Sequence, residues 1–119
     1  MICIAANSNN IVNLTPHDVV VYDVFNQVKA TFAASGKIAR ANSSYESEGS
    51  INGIELVHMT YGKTIDLPPH DGMHYYIVSA LTANAAAAEG RRTDDLLLTA
   101  DPVRDDAGHI IGCRRFARL

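Results

Sequence analysis

The chain predicts one α+β domain spanning residues 1–119: a mainly antiparallel sheet, one short alanine-rich helix at about 80–89, and a C-terminal β-hairpin. Three observations carry this expectation. Short runs rich in Val, Ile and Tyr are broken by turn residues along most of the chain, as in antiparallel sheets. The segment ALTANAAAAE departs from that pattern and has the highest helix propensity in the sequence. The end of the chain holds two strand-like runs around Asp105-Asp106-Ala107-Gly108, where aspartate starts a turn and glycine supplies the left-handed residue.

Taken in order, IVNL (11–14) and DVVVYD (18–23) read as strands on either side of Thr15-Pro16-His17. FNQVKATFAAS and GKIARANSSYES read as strands flanking Ser35-Gly36, a pair able to take the positive φ of a tight turn. GIELVHMTYG (53–62) alternates over its first half and reads as a further strand. TIDLPPHDGMHYYIVS contains two prolines that cannot donate to a ladder, so it is a loop until His74, after which HYYIVS has the composition of a central strand. The helix follows, with Ser79 as N-cap and Gly90 at its stop, and makes about three turns. Its alanine side chains let it approach a sheet, or a second copy of itself, closely.

The chain has 119 residues of which 47% are hydrophobic, enough for one compact core. A domain of this size buries roughly two-thirds of its unfolded surface. A formal net charge of −3 argues against holding duplex nucleic acid by overall field, which needs a dense positive face. Six of the ten basic residues, all arginines, lie at 91–119, interleaved with Asp94, Asp95, Asp101, Asp105 and Asp106. Cys3 and Cys113 form no C-x-x-C pair, so neither a disulfide framework nor a cysteine zinc site is implied. The opening MICIAANSNN lacks an early Lys or Arg, and no run is long enough for a signal peptide or a membrane span. The expectation is a soluble, reduced, cytoplasmic protein without membrane contact.

The chemical motifs are few. Thr15-Pro16-His17 reads first as a rigid bend in which Asn13 and Thr15 satisfy backbone groups, with His17 as a rim contact for a ligand. His70 and His74 have the i, i+4 spacing that serves zinc on a helix, but Pro68, Pro69 and Gly72 oppose a helix and the glutamate of H-E-x-x-H is missing. No metal site is expected. ASGK at 34–37 resembles the end of a phosphate loop, yet Thr31 stands at the earlier glycine and Ile38 at the Ser/Thr position. There is no G-x-S-x-G elbow and no cysteine–histidine arrangement at a family spacing, so no catalytic residue or cofactor is assigned.

EGRRTDD at 89–95 is more informative: Arg91 and Arg92 offer phosphate-pairing forks, and Thr93 and Asp94 offer partners for hydroxyls. Arg104, Arg114 and Arg115 add donors that the closing hairpin can bring near, and Phe116, Tyr75 and Tyr76 offer faces for a base. The bland alternative is a salt-bridged edge, since arginine beside aspartate usually means surface pairs worth little.

NLTPHDVVVYD, LPPHDGMHYYIVSALTANAA and DPVRDDAGHIIGC together resemble a family of small phage, prophage and bacterial proteins. Its members share an N-L-T-P-H opening, a Y-I-V-S-A strand-to-helix junction and a V-R-D-x-x-G-x-I-x-G-C ending, in that order. The resemblance covers nearly the whole chain and brings no activity with it. In length, mixed content and arginine-plus-aromatic endowment the chain is also similar to phage anti-defence sponges, such as the Thoeris anti-defence proteins, which sequester cyclic ADP-ribose isomers or cyclic oligonucleotides without cleaving them.

The expectation is therefore a non-enzymatic phage protein, in the cytoplasm of a bacterial host, that sequesters a small cyclic nucleotide. Arg91, Arg92 and Arg104 would pair phosphates, Tyr76 or Phe116 would stack the base, and a homo-oligomer would close over the ligand. Two alternatives stand beside it: a protein-binding inhibitor of a defence effector such as a CRISPR complex, blocking through an acidic surface, and a small hydrolase using His17, His70 or His74.

Overall fold

The computed structural model describes residues 10–119. In chain order its elements are β1 (Ile11–Asn13), β2 (Val19–Tyr22), β3 (Val28–Phe32), β4 (Ser43–Ile51), β5 (Ile54–Tyr61), β6 (Tyr75–Ile77), α1 (Ala80–Ala88), β7 (Leu96–Arg104) and β8 (Ile110–Ala117). Six strands form one sheet in the order β1-β6-β7-β8-β2-β3, and β4 and β5 form a separate two-stranded ribbon. The protein is thus mostly β with one short helix.

The six-stranded sheet curls until its edges nearly meet. A parallel bridge joins Asn13 to Ala34 just beyond β3, and Ser35 N–H donates to Asn13 O at 3.2 Å. The buried Asn13 side chain fastens this closure. Its Nδ2 donates to His17 O and Phe32 O at 2.8 and 2.9 Å, and its Oδ1 accepts from Thr15 N and Thr15 Oγ1. The Thr15-Pro16-His17 wedge is the bend that wraps this amide, so every polar group of a fully buried Asn is satisfied.

The apolar strands have no polar phase because both of their faces are covered. In β6, Tyr75 and Ile77 point into the barrel beside Val19, Val21, Leu97 and Cys113, whereas Tyr76 and the following Val78 point outward. There they meet Leu14, Leu96 and the helix. Ala83 and Ala86 are fully buried on this outer layer, since a methyl side chain lets α1 lie close to the sheet. Complete burial of Ile77 and Leu96 contributes about 1.5–3 kcal/mol apiece. Ser79 Oγ caps α1 by accepting from Thr82 N, and Gly90 takes φ +84° after the last turn.

Several expectations change. Antiparallel pairs make up most of the ladder, but β1–β6, β6–β7 and β2–β8 are parallel. Phe25, Asn26 and Gln27 are not strand. They lie in the turn from β2 to β3, where Asp23 Oδ1 accepts from the amides of Phe25 and Gln27. Ser35-Gly36 does not join a hairpin, because the next strand begins only at Ser43 and pairs with β5 through Asn52-Gly53, whose φ values of +53° and +80° suit a tight turn. The core is two apolar layers separated by the sheet, one inside the barrel and one under α1. Cys113 is buried in the barrel, while Cys3 lies outside the described residues. Among the described residues, no helix is long and apolar enough to cross a membrane.

Candidate ligand site at the barrel mouth

The hairpin of β7 and β8 ends where β1, β6 and β7 begin, because β8 runs against β7 and β7 runs with β6. At that end the barrel opens into a cavity of about 440 Å³. Its apolar wall comprises Ile11, Val21, Ala30, Phe32, Tyr75, Leu97 and Phe116, and its polar wall is Lys29, Arg114, Arg115 and Arg118. The size falls within the usual range for small-molecule sites. Phe32 and Phe116 fix the apolar side, their ring centroids 5.8 Å apart and tilted by 54°, a favourable aromatic pair.

The basic wall is only partly neutralised. Arg115 pairs with Asp101, whose left-handed φ of +55° marks an irregularity in β7. Arg114 donates instead to neutral acceptors, from Nη1 to Asp23 O and from Nη2 to Asn26 Oδ1. Arg118 donates to Asp94 O at 3.3 Å. Among the described residues no carboxylate pairs with Lys29, Arg114 or Arg118, and no acid lines the cavity. Three positive charges therefore line the same cavity as the aromatic rings. Guanidinium forks there can hold phosphate oxygens while an aromatic face receives a base.

The residues singled out in the sequence do not converge on one point. Phe116 reaches this cavity. Tyr76 is 6% exposed beneath α1, and burial, reinforced by the nearby Asp71 and Asp95 carboxylates, raises its phenol above the ordinary value, so no face is open for stacking. Arg91 is turned inward against Asp95 and also donates to Pro68 O and Arg92 O. Thr93 O accepts from Leu96 N in the turn that opens β7. Arg92 pairs with Asp94 on the surface at 3.0 Å. Arg104 lies at the far end of β7 and closes the hairpin by donating to Gly108 O at 2.8 Å. His17 sits at the opposite mouth, in a second cavity with Thr15, Asp18 and Cys113. Burial pushes the Cys113 thiol up, against opposing amide contacts, which keeps it protonated and a weak nucleophile at neutral pH.

His70 and His74 face different aspartates. His70 Nε2 lies 3.1 Å from Asp94 and His74 Nδ1 meets Asp71. His70, Asp94 and Asp95 place potential ligand atoms within 4.8 Å of one another, but both Asp95 oxygens are engaged by Arg91. Desolvation opposes ionisation of Asp94, and the Arg92 hydrogen bond and charge outweigh it, holding that carboxyl below its usual range.

Lys29, Phe32 and Arg118 are site residues that sequence reasoning missed, and Tyr75 stood there only as one of three aromatic faces. One signal in the last strand was legible: a period of two places Arg114, Phe116 and Arg118 on one face. Comparison of the chain with protein-family models, with curated proteins and with solved structures found no match in any of the three.

Proposed function

We propose that this chain is a binding protein that retains a small phosphorylated aromatic ligand, of the nucleotide class, at the barrel mouth without transforming it. The observation that supports this is the meeting of Lys29, Arg114 and Arg118, none paired with a carboxylate among the described residues, with the Phe32, Tyr75 and Phe116 rings around one cavity. Ligand phosphate replaces the neutral acceptors now taken by Arg114 and Arg118, converting ordinary hydrogen bonds to charge-assisted ones. The base lies on an apolar wall that excludes water and so strengthens those ion pairs. In its finer form the proposal is a phage anti-defence protein that sequesters a cyclic ADP-ribose isomer or cyclic oligonucleotide.

The test mixes purified protein with cyclic ADP-ribose isomers and with cyclic di- and trinucleotides, passes each mixture through a size filter, and heats the retained protein. The expected result is one ligand lost from the filtrate and recovered intact on heating, with retention lost in Arg114→Ala/Arg118→Ala. Free passage of every nucleotide overturns the proposal. Time-dependent conversion replaces it with a hydrolase.

A further inference from the structure

Strand β8 lies between β7 and β2 in the sheet, and two arginines at its end turn to opposite flanks. Arg114 reaches toward β2, where Nη1 donates to Asp23 O and Nη2 to Asn26 Oδ1 at the turn from β2 to β3. Arg118 reaches toward β7, where Nη1 donates at 3.3 Å to Asp94 O in the loop that opens that strand. Lys29, the second residue of β3, stands on the Arg114 side. Phe116 is midway between the two arginines in the chain, lines the same cavity and packs against Phe32. Four positions of extended chain put the Arg114 and Arg118 Cα atoms about 13 Å apart. The basic wall is therefore two cationic stations with an aromatic ring between them, not one cluster.

We infer that the ligand of the barrel mouth carries two phosphoryl groups that share no bridging oxygen, one held by Arg114 with Lys29 and the other by Arg118, with the base on Phe116 between them. This rests on the reading of the mouth as a nucleotide site and narrows it to nucleotides phosphorylated at two places on the sugar: a nucleoside bisphosphate or a cyclic dinucleotide. Geometry is the first reason. The phosphorus atoms of a diphosphate are joined through one oxygen, so a diphosphate occupies one station and leaves the guanidinium on the other flank with its backbone acceptor. Charge is the second. Lys29, Arg114 and Arg118 carry three positive charges without a carboxylate partner among the described residues, whereas Arg115 is paired with Asp101. One phosphate monoester brings a charge of about −1.5 to −2 at neutral pH and leaves part of that excess unmatched; a second group on the other flank matches it. The third reason is the form of the present contacts. Arg114 addresses two oxygens with its two terminal nitrogens, the forked arrangement that suits a phosphate, and both of its acceptors are neutral. The single acceptor given for Arg118 is likewise a neutral carbonyl. Each station gains a charge-assisted bond when phosphate replaces what it now holds.

Isothermal titration calorimetry on the whole chain tests this with three probes for each of adenine and guanine: the nucleoside 3′,5′-bisphosphate, the cyclic dinucleotide and the nucleoside diphosphate. The first and third carry the same base and the same two phosphoryl groups, so only the placement of the phosphates differs. The bisphosphate or the cyclic dinucleotide is expected to bind at least about tenfold more tightly than the diphosphate of the same base, and the tighter of the two names the source. Arg114→Gln, which keeps an amide donor for the turn, and Arg118→Ala should each weaken that ligand by about tenfold or more, with the circular dichroism spectrum unchanged. A diphosphate bound as tightly as either doubly phosphorylated probe overturns the inference and leaves the nucleotide reading standing. So does a preferred ligand whose affinity is unchanged in one of the two variants, since a single station then holds it. Binding of none of the six probes overturns the inference and the nucleotide reading together.

Discussion

The guanidinium of Arg91 grips the carboxylate of Asp95 with two prongs, Nη1–Oδ1 at 2.8 Å and Nη2–Oδ2 at 2.9 Å, beneath the loop that carries the chain from α1 into β7. Their side chains are only 13% and 4% exposed. Arg91 Nε is buried there without an acceptor, so desolvation offsets part of what the pair contributes. A motif that reads as a phosphate fork is thus used to pin a loop.

Arg91→Ala strands a buried carboxylate and should lower unfolding stability by about 3–5 kcal/mol in urea titration. Replacing both partners with apolar residues, as in Arg91→Met/Asp95→Leu, should recover most of that loss. A single-variant loss below about 1 kcal/mol would mean a solvated pair and would return Arg91 to the pool of ligand contacts.

The two neighbouring tyrosines of β6 should separate binding from folding. Tyr76 fills the layer under α1, so Tyr76→Ala should cost about 3–5 kcal/mol of stability, as large-to-small core changes do. Tyr75 lines the mouth and is half-buried, so Tyr75→Ala should weaken ligand retention while the thermal midpoint falls less. Equal destabilisation with unchanged retention in Tyr75→Ala would remove that ring from the site. The readouts are paired thermal melts and filter retention.

Asp71 organises the turn before β6. Its Oδ1 accepts from Met73 N and His74 N, and its Oδ2 faces His74 Nδ1. The Met73 amide first, then the His74 ring and amide, favour the charged form and hold this carboxyl well below its usual range. A folded value below the unfolded one, which is about 3.9, means that the stabilisation is present in full at pH values above the unfolded value. It is lost as pH falls through the depressed folded value. Carbon-detected NMR should show Asp71 titrating later, on acidification, than the ordinary carboxylates; a midpoint at or above about 3.9 would refute the turn's role in holding the charge.

How much of this was legible beforehand depends on how local each signal was. Helix α1 reads directly from its alanines, Ser79 and Gly90, because capping and propensity act within one turn of chain. The closing hairpin reads from Asp105 and Gly108 for the same reason: Asp105 Oδ1 accepts from the Ala107 and His109 amides, and Gly108 takes φ +87°. The bend at Thr15-Pro16-His17 was legible as a bend, and its purpose was not, since Asn13 acts on Phe32, nineteen residues away.

What the sequence by itself determined is therefore the local elements: the capped helix, the terminal hairpin, the proline-broken loop before His74, and a chain rich enough in short apolar strands to be mostly β. Only the tertiary structure decided that three pairings are parallel, that Asn13 and Ala34 bring the sheet edges together, that Tyr75 rather than Tyr76 faces the mouth, and that Arg91 is engaged by the Asp95 carboxylate while Arg114 and Arg118 donate to neutral acceptors. A strand apolar on both faces carries no phase in its pattern, and an arginine beside an aspartate reads the same whether buried or solvated. Both choices are made by partners distant along the chain.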